Sequence, residues 1–387
     1  MEQFKFVDYV IRGEAEIPWL MLLKALDYDI NLSSVPNLAW RRNSQIILNT
    51  LSYFADEDQL NSFDFTKFSL VKHYEYIPRL YWYFPFGKMK FNRVLLNRNI
   101  GNYFYFPVAR GCSSNCFHCG GSRKAAQIIS GRDRLSLFHP KRLVYHVKEA
   151  SKLGFTSAYI ILDDSLTRSY FEELCNEFLL SKIKLRIIFE FYGIPENWHI
   201  EKIAQVFGRN CGVTINLLTG NESCRKQFGR AFSNGDFFDA LDRLKIHNFN
   251  TCIQLYNDIP NETESIRNET RTLIKKIRRV YKDAEMLTET VDLDPGSSLY
   301  LFPENFGVIK TRNTFIDYYM THIKAKIDRG YKPKNTQLIR KKEVPILHAS
   351  LLSIAIYFLM LLPIAHIFLK LFLIIQGRKL GKRNLAI

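Results

Sequence analysis

Residues 103–122 read Tyr103-Phe-Tyr-Phe-Pro-Val-Ala-Arg-Gly-Cys112-Ser-Ser-Asn-Cys116-Phe-His-Cys119-Gly-Gly-Ser122, and their reading decides the fold. The apolar run over 103–109 predicts a buried strand, followed by a loop carrying three cysteines in the spacing C-x3-C-x2-C. Three thiolates on one short loop can hold three corners of an iron–sulfur cube. No fourth cysteine lies near enough in sequence to close the site, so one iron would keep an open position for a small molecule. A zinc site with His118 or a distant residue as fourth ligand competes with that reading, although the spacing does not match the paired C-x2-C of structural zinc. Three thiols buried as small hydrophobes are the other alternative.

Outward from this stretch, strand and helix patterns alternate over about residues 102–293. Apolar, β-branched or aromatic runs fall at 103–109, 158–162, 185–191, 212–217, 251–256 and 286–291. Between them, Leu143, Val144, Val147, Ala150 and Leu153 share one helical face, with Gly154 as the stop. Phe237, Phe238, Leu241 and Leu244 mark a second helix; Ile266, Leu273, Ile274, Ile277 and Val280 mark a third. Strands separated by helices of this length imply crossovers and a parallel sheet, here an α/β partial (β/α)6 barrel. The cysteine loop then sits at the C-terminal end of the first strand, the face where parallel sheets and barrels place their chemistry.

The cysteine spacing and the segments at the later strand ends together resemble the radical SAM superfamily. The resemblance covers about residues 100–300. It implies that Cys112, Cys116 and Cys119 ligate a [4Fe–4S] cluster and that S-adenosylmethionine binds the open iron. Phe117, between the second and third cysteines, would pack on the adenine or belong to the core beside the cluster. Asp163 and Asp164 end the second strand, where the family binds the methionyl amine; the alternative is a helix cap. Leu218-Thr219-Gly220-Asn-Glu-Ser-Cys-Arg225-Lys-Gln-Phe-Gly-Arg230 is similar to a Glu-Ser-Gly-Ser…Arg…Gly-Arg segment of cobalamin-associated and methylthiotransferase-like members. In that match Thr219 and Gly220 approach the ribose and Arg225 forks onto the cofactor carboxylate, or else Arg225 is a solvated helix arginine. The family's Glu falls on Leu218. The turns at Pro260-Asn261-Glu-Thr263 and Pro295-Gly296-Ser fit two further family segments, with Asn257 or a neighbour and Asn261 standing where glycines are usual.

The ends of the chain follow other rules. Val7 to Pro18, with Gly13-Glu14-Ala-Glu16, resembles the last strand and closing helix of a cobalamin-binding domain. No Asp-x-His-x-x-Gly segment precedes residue 7, and so few residues cannot build an independent core. Cobalamin is therefore a doubtful cofactor, dispensed with, supplied by another polypeptide, or lost with an incomplete chain. The expected organisation is a remnant of that domain at 1–40, a connecting region at 41–100, the radical SAM core at 101–300, a basic extension at 301–343 and a hydrophobic tail at 344–387. Residues 347–369 are almost wholly apolar and long enough to span a bilayer, with basic residues on both flanks. The expectation is a helical, membrane-associated C-terminal segment, against a helix buried in the protein or in a dimer interface.

The 387 residues carry a formal charge of +16 and seven cysteines without a regular framework. With no leader pattern after Met1, the cysteine usage points to a reducing cytoplasm and away from a disulfide scaffold. Cys175, Cys211, Cys224 and Cys252 read as scattered core or surface thiols. The basic run 271–282 has apolar residues threaded at helical spacing, so nucleic acid is not an expected partner. The resemblance implies reductive cleavage of S-adenosylmethionine, a low-potential donor of flavodoxin or ferredoxin type, and an anaerobic setting. A lipid-linked substrate follows only from the location of the tail. Cobalamin-assisted methyl transfer, a non-catalytic membrane-attached iron–sulfur protein and a degenerate fragment stay open.

Overall fold

A computed structural model describes residues 1–2, 4–70, 103–291 and 293–308. The expected tail at 344–387, most of the 301–343 extension and the second half of the 41–100 region lie outside the described residues. Among the described residues no helix is long and apolar enough to cross a membrane.

The N-terminal part holds strands β1 (Tyr9–Ile11), β2 (Leu38–Arg42) and β3 (Gln45–Leu48), helix α1 (Glu16–Asp27) and the short helix α2 (Glu57–Ser62). β1 pairs antiparallel with β2, which pairs antiparallel with β3. A strand and a helix therefore form where a cobalamin-domain ending was expected, but β2 and β3 complete their own antiparallel sheet. The boundary at residue 40 falls inside β2. Leu22, Ala25, Val35, Leu38 and Trp40 form a small core of their own.

The chemistry-bearing part is a six-stranded sheet. Its strands are β4 (Tyr103–Pro107), β7 (Ser157–Ile161), β8 (Arg186–Phe191), β9 (Cys211–Leu218), β10 (Asn250–Asn257) and β11 (Glu285–Thr290), each parallel to its neighbour in chain order. Among the described residues β4 and β11 are the two edges, an arrangement consistent with the partial barrel that the strand–helix alternation predicts. The β5 (Ala109–Arg110) and β6 (Ser136–Leu137) pair flanks the cysteine loop, with helix α3 (Arg123–Ser130) between them.

Local chemistry explains the helices. In α4 (Pro140–Lys152), Pro140 occupies the first turn, where its missing N–H costs nothing. Leu143, Val144, Val147 and Ala150 are buried against the sheet, and Gly154 at φ 95° ends the unit. Thr167 caps α5 (Arg168–Ser181), and Glu196 caps α6 (Asn197–Phe207) through a capping box with His199. α7 (Glu222–Gln227) is short. α8 (Asn234–Ile246) begins with a Ser233–Asp236 capping box and buries Phe237, Ala240, Leu241 and Leu244. In α9 (Glu264–Val280), Leu273 and Ile277 are buried while Arg and Lys cover the other face, as expected for an amphipathic surface helix.

Strand alternation separates two environments. On β8, Ile187, Phe189 and Phe191 join the outer core under the helices, while Arg186, Ile188 and Glu190 face the barrel interior. That interior is a cavity of about 230 Å³.

Candidate active site

The cysteine loop leaves the sheet at the end of β4. Gly111, at φ 85°, makes the turn into Cys112 and is pressed against Arg132 and the Arg134 carbonyl, so a side chain there would collide. The loop is held from two sides. Asp163 Oδ2 accepts the Ser113 N–H at 2.9 Å, while its Oδ1 accepts the Ser165 N–H at 2.9 Å and hydroxyl at 2.5 Å. From the other side, Asp294 Oδ2 accepts the Gly120 N–H at 3.4 Å.

A third brace comes from far away in sequence. Glu14 accepts hydrogen bonds from Arg132 Nε at 2.6 Å, Arg110 Nη1 at 3.0 Å and the Ala55 N–H at 2.9 Å, and Glu16 pairs with Arg110. Gly13-Glu14-Ala15-Glu16 therefore grips Arg110, two residues before Cys112. Burial opposes ionisation of Glu14, but Arg132, the Ala55 amide and Arg110 hold its carboxyl below the usual range.

The three thiols of Cys112, Cys116 and Cys119 share one electrostatic neighbourhood, each half-buried. Burial raises all three, Cys112 to about 12, so the free thiols stay protonated until a cation takes the proton's place. Backbone donors already point at sulfur: Ser114 N–H to Cys112 at 3.4 Å and Gly121 N–H to Cys119 at 3.3 Å. Among the described residues no three His, Cys, Asp or Glu side chains are gathered closely enough to hold a single ion. Thiolates around one zinc stand about 3.8 Å apart, given Zn–S of about 2.3 Å and tetrahedral geometry. Three loop thiols that are not gathered for one ion are the donor set of a multi-iron cluster rather than of a four-ligand zinc. The His118 ring packs on Tyr256 at 4.9 Å, and burial, then Arg230, lowers its pKa to about 4, so the imidazole is neutral.

A cavity of about 550 Å³ opens beside Cys116, lined by Asn115, Phe117, Phe228, Arg230, Ser298 and Phe306 among others. Phe117 is 5% exposed and packs on Phe228 at 4.1 Å and Phe306 at 5.6 Å. It serves as both wall and core. Asp164 accepts the Ser114 hydroxyl at 3.2 Å, and its side chain is 47% exposed beside the thiols. Neither aspartate caps the following helix; Thr167 does.

The remaining expected residues lie elsewhere. Thr219 is fully buried and its hydroxyl meets that of Thr270 at 2.9 Å. A Cβ on Gly220 would come 2.7 Å from the Thr270 backbone, so this glycine exists for contact with α9. The Arg225 guanidinium donates to the Thr219 carbonyl at 2.8 Å, the Phe232 carbonyl at 3.0 Å and Asn234 Oδ1 at 2.9 Å, and the residue is 0% exposed. The guanidinium expected to fork onto a cofactor carboxylate is thus turned to the protein's own acceptors. It is equally far from a solvated arginine.

Arg230 was not singled out in the sequence, although the Gly229-Arg230 pair ends the same segment. It is 5% exposed, with Nη2 3.7 Å from Cys116 Sγ, Nη1 3.8 Å from Asp164 Oδ2, and its guanidinium over Tyr192 at 5.1 Å. Leu218, where the family's Glu was expected, sits at φ 67° in the left-handed region and is 2% exposed in the cluster with Phe117 and Phe228. The β9–β10 register shifts beside it. Asp258 and Asn261 take φ 58° and 59°, so one of the expected glycine-like positions is Asp258, next to Asn257. Cys175, Cys211 and Cys224 are buried and free, and Cys252 lines the barrel cavity.

Residues 106–274 match the model of the radical SAM superfamily. Its fold is similar to that of a radical S-adenosylmethionine methyltransferase, TsrM, from Kitasatospora setae, solved with cobalamin and a [4Fe-4S] cluster bound. The TM-score is 0.53 at 12% identity, covering 76% of this chain and 53% of that one. The same methyltransferase with tryptophan substrate and a SAM analogue gives a TM-score of 0.52 at 12% identity, over 79% and 57% of the two chains. A cobalamin-dependent S-adenosylmethionine radical enzyme, OxsB, aligns at a TM-score of 0.47 and 14% identity, over 77% and 40%. The chain thus spans about half the length of the methyltransferase. No curated protein matches by sequence.

Proposed function

We propose that the protein is a radical SAM enzyme that cleaves S-adenosylmethionine reductively at a [4Fe–4S] cluster on Cys112, Cys116 and Cys119. The observation that carries this reading is the loop itself. Three mutually coupled thiols lie at the C-terminal end of the first strand of a partial barrel, unsuited to a single ion and open to a cavity of about 550 Å³. When bound, the cluster and S-adenosylmethionine supply the hard step, a one-electron cleavage to methionine and a 5′-deoxyadenosyl radical that abstracts hydrogen from carbon.

The chain's own residues orient and enclose. Asp163, Asp294 and the Glu14–Arg110 pair fix the loop backbone. Asp164 offers a carboxylate to a bound amine, and Arg230 a cation to a carboxylate, both beside Cys116. Phe117 and Phe228 give an apolar wall that excludes water from a reactive intermediate. The barrel cavity below receives the substrate. The electron comes from a low-potential donor of flavodoxin or ferredoxin type.

The test is anaerobic reconstitution with iron and sulfide, reduction with dithionite, addition of S-adenosylmethionine, and mass spectrometry for 5′-deoxyadenosine beside Cys116→Ala. Product that depends on Cys116 supports the reading. A reducible cluster that yields none overturns it in favour of an electron-transfer protein.

A further inference from the structure

We propose that Arg230 sets the reduction potential of the cluster through the sulfur of Cys116, and that Tyr192 is the positioning residue that holds its guanidinium there. The proposal rests on the radical SAM reading and adds to it how the same site is made reducible.

Reduction passes one electron from the low-potential donor to the cluster. No bond forms or breaks, and the group held by Cys112, Cys116 and Cys119 becomes more negative by one charge. The cost of that charge depends on nearby charges, on hydrogen bonds to the sulfurs and on exposure to water. The loop's surroundings are acidic. Asp163, Asp164 and Asp294 act on Cys112, Cys116 and Cys119 respectively, each in the direction that disfavours added negative charge. Arg110, the cation closest in sequence, is committed to Glu14 and Glu16. Arg230 differs: it is 5% exposed, and its charge acts on Cys116 in the direction that favours the anion.

The donors to sulfur separate in the same way. Cys112 and Cys119 each take the backbone N–H two residues further on, from Ser114 at 3.4 Å and from Gly121 at 3.3 Å. Cys116 has its own amide and, from a residue 114 positions away, Arg230 Nη2 at 3.7 Å. A main-chain N–H is neutral and fixed by the loop, whereas a buried guanidinium brings a full charge to the sulfur. Asp164 offsets that charge only in part. The pair is 3.8 Å apart and the Asp164 side chain is 47% exposed, so water screens the carboxylate far more than the arginine.

The guanidinium lies over the Tyr192 ring at 5.1 Å. Tyr192 directly follows β8, so the strand fixes the ring and the ring fixes the charge beside Cys116.

The experiment reconstitutes the full-length protein anaerobically and measures the midpoint potential of its cluster by dye-mediated titration with electron paramagnetic resonance, in the absence of S-adenosylmethionine. Deoxyadenosine formation is assayed separately in the same preparations. In Arg230→Gln the reduced-to-oxidised ratio at a fixed potential is expected to fall about tenfold, a shift of about 59 mV to more negative potential for one electron. Arg230→Lys, which keeps the charge but not the planar fork, is expected to lose less. A cluster whose potential is unchanged in Arg230→Gln overturns the proposal, and so does an equal shift in Arg230→Gln and Arg230→Lys. Should Arg230→Gln fail to take up iron, Tyr192→Leu carries the test. It alters no charge, so a shift to more negative potential upholds the proposal and an unchanged potential overturns it. Deoxyadenosine formed by a protein whose potential ignores Arg230 keeps the radical SAM reading and sinks this one. An arginine-dependent potential without deoxyadenosine does the reverse.

Discussion

Arg225 and Arg230 are five residues apart, both 5% exposed or less, and they do different work. Arg225 sits in α7 with its guanidinium spent on two carbonyls and Asn234, tying the end of β9 to the loop before α8. Arg230, beyond Gly229 at φ 86°, turns back over Tyr192 toward Cys116 and Asp164 and borders the larger cavity. The difference teaches that a segment's place at a strand end identifies the region of the site, whereas accounting for each donor identifies the residue. A guanidinium that spends most of its donors on the fold has few left for a ligand.

The comparison presupposes that the surface facing Arg230 is the cluster site, and the cysteines test that with the largest expected effect. Cys112→Ala, Cys116→Ala and Cys119→Ala should each lose iron and bring 5′-deoxyadenosine to background. Cys175→Ala and Cys211→Ala should keep both, since these thiols are buried away from the loop. Iron retained by all three loop variants would remove the site from Arg230's side. Next in size, Arg225→Met leaves three buried acceptors without donors and should destabilise the fold by about 3–5 kcal/mol in anaerobic urea unfolding. A variant as stable as wild type that fails to bind S-adenosylmethionine would reverse the two arginines' roles.

Arg230→Gln should do the opposite. Its ion pair with half-exposed Asp164 is long, at 3.8 Å, so stability should change by about 1 kcal/mol or less. S-adenosylmethionine affinity, followed by the change it makes in the spectrum of the reduced cluster, should fall about tenfold to a hundredfold. An unchanged affinity would assign Arg230 to holding Cys116 alone.

The sequence shows what is local. Three cysteines within eight residues keep their relation whatever surrounds them, and six strand–helix units follow from periodicity because apolar faces must meet. Asn261 takes the positive φ expected where the family has glycine, because that choice belongs to one turn. Side-chain direction inside a six-residue helix is not local. Thr219 and Gly220 are committed to α9, about fifty residues later, so their contacts depend on how that helix docks. Glu14 likewise resembles part of another domain's motif until the fold brings it to Arg132, 118 residues away. Glu190 did leave a trace: Arg186 and Glu190, two steps of the strand repeat apart in an otherwise apolar run, mark one polar face.

Glu190 gives the smallest test and ties the arginines to the barrel floor. Burial, then the charge of Glu289, raises its pKa from 4.5 to about 7, against a hydrogen bond from Tyr159 and the field of Arg230. Cys252 and Tyr192 also face it, and both stay protonated in this range because burial raises them. A carboxyl that holds its proton more tightly folded than unfolded stabilises the fold fully below pH 4.5, and that stability is lost as pH rises through about 7. Between about pH 6 and pH 8 the loss should be about 1.4 kcal/mol, and Glu190→Gln should remove it. Arg230→Gln should shift the same loss to higher pH, since a cation favouring the carboxylate is gone, while a folded Arg225 variant should leave it in place. If both arginine variants move the pH profile equally, Arg230 does not look into the barrel and the distinction between the two fails at its floor.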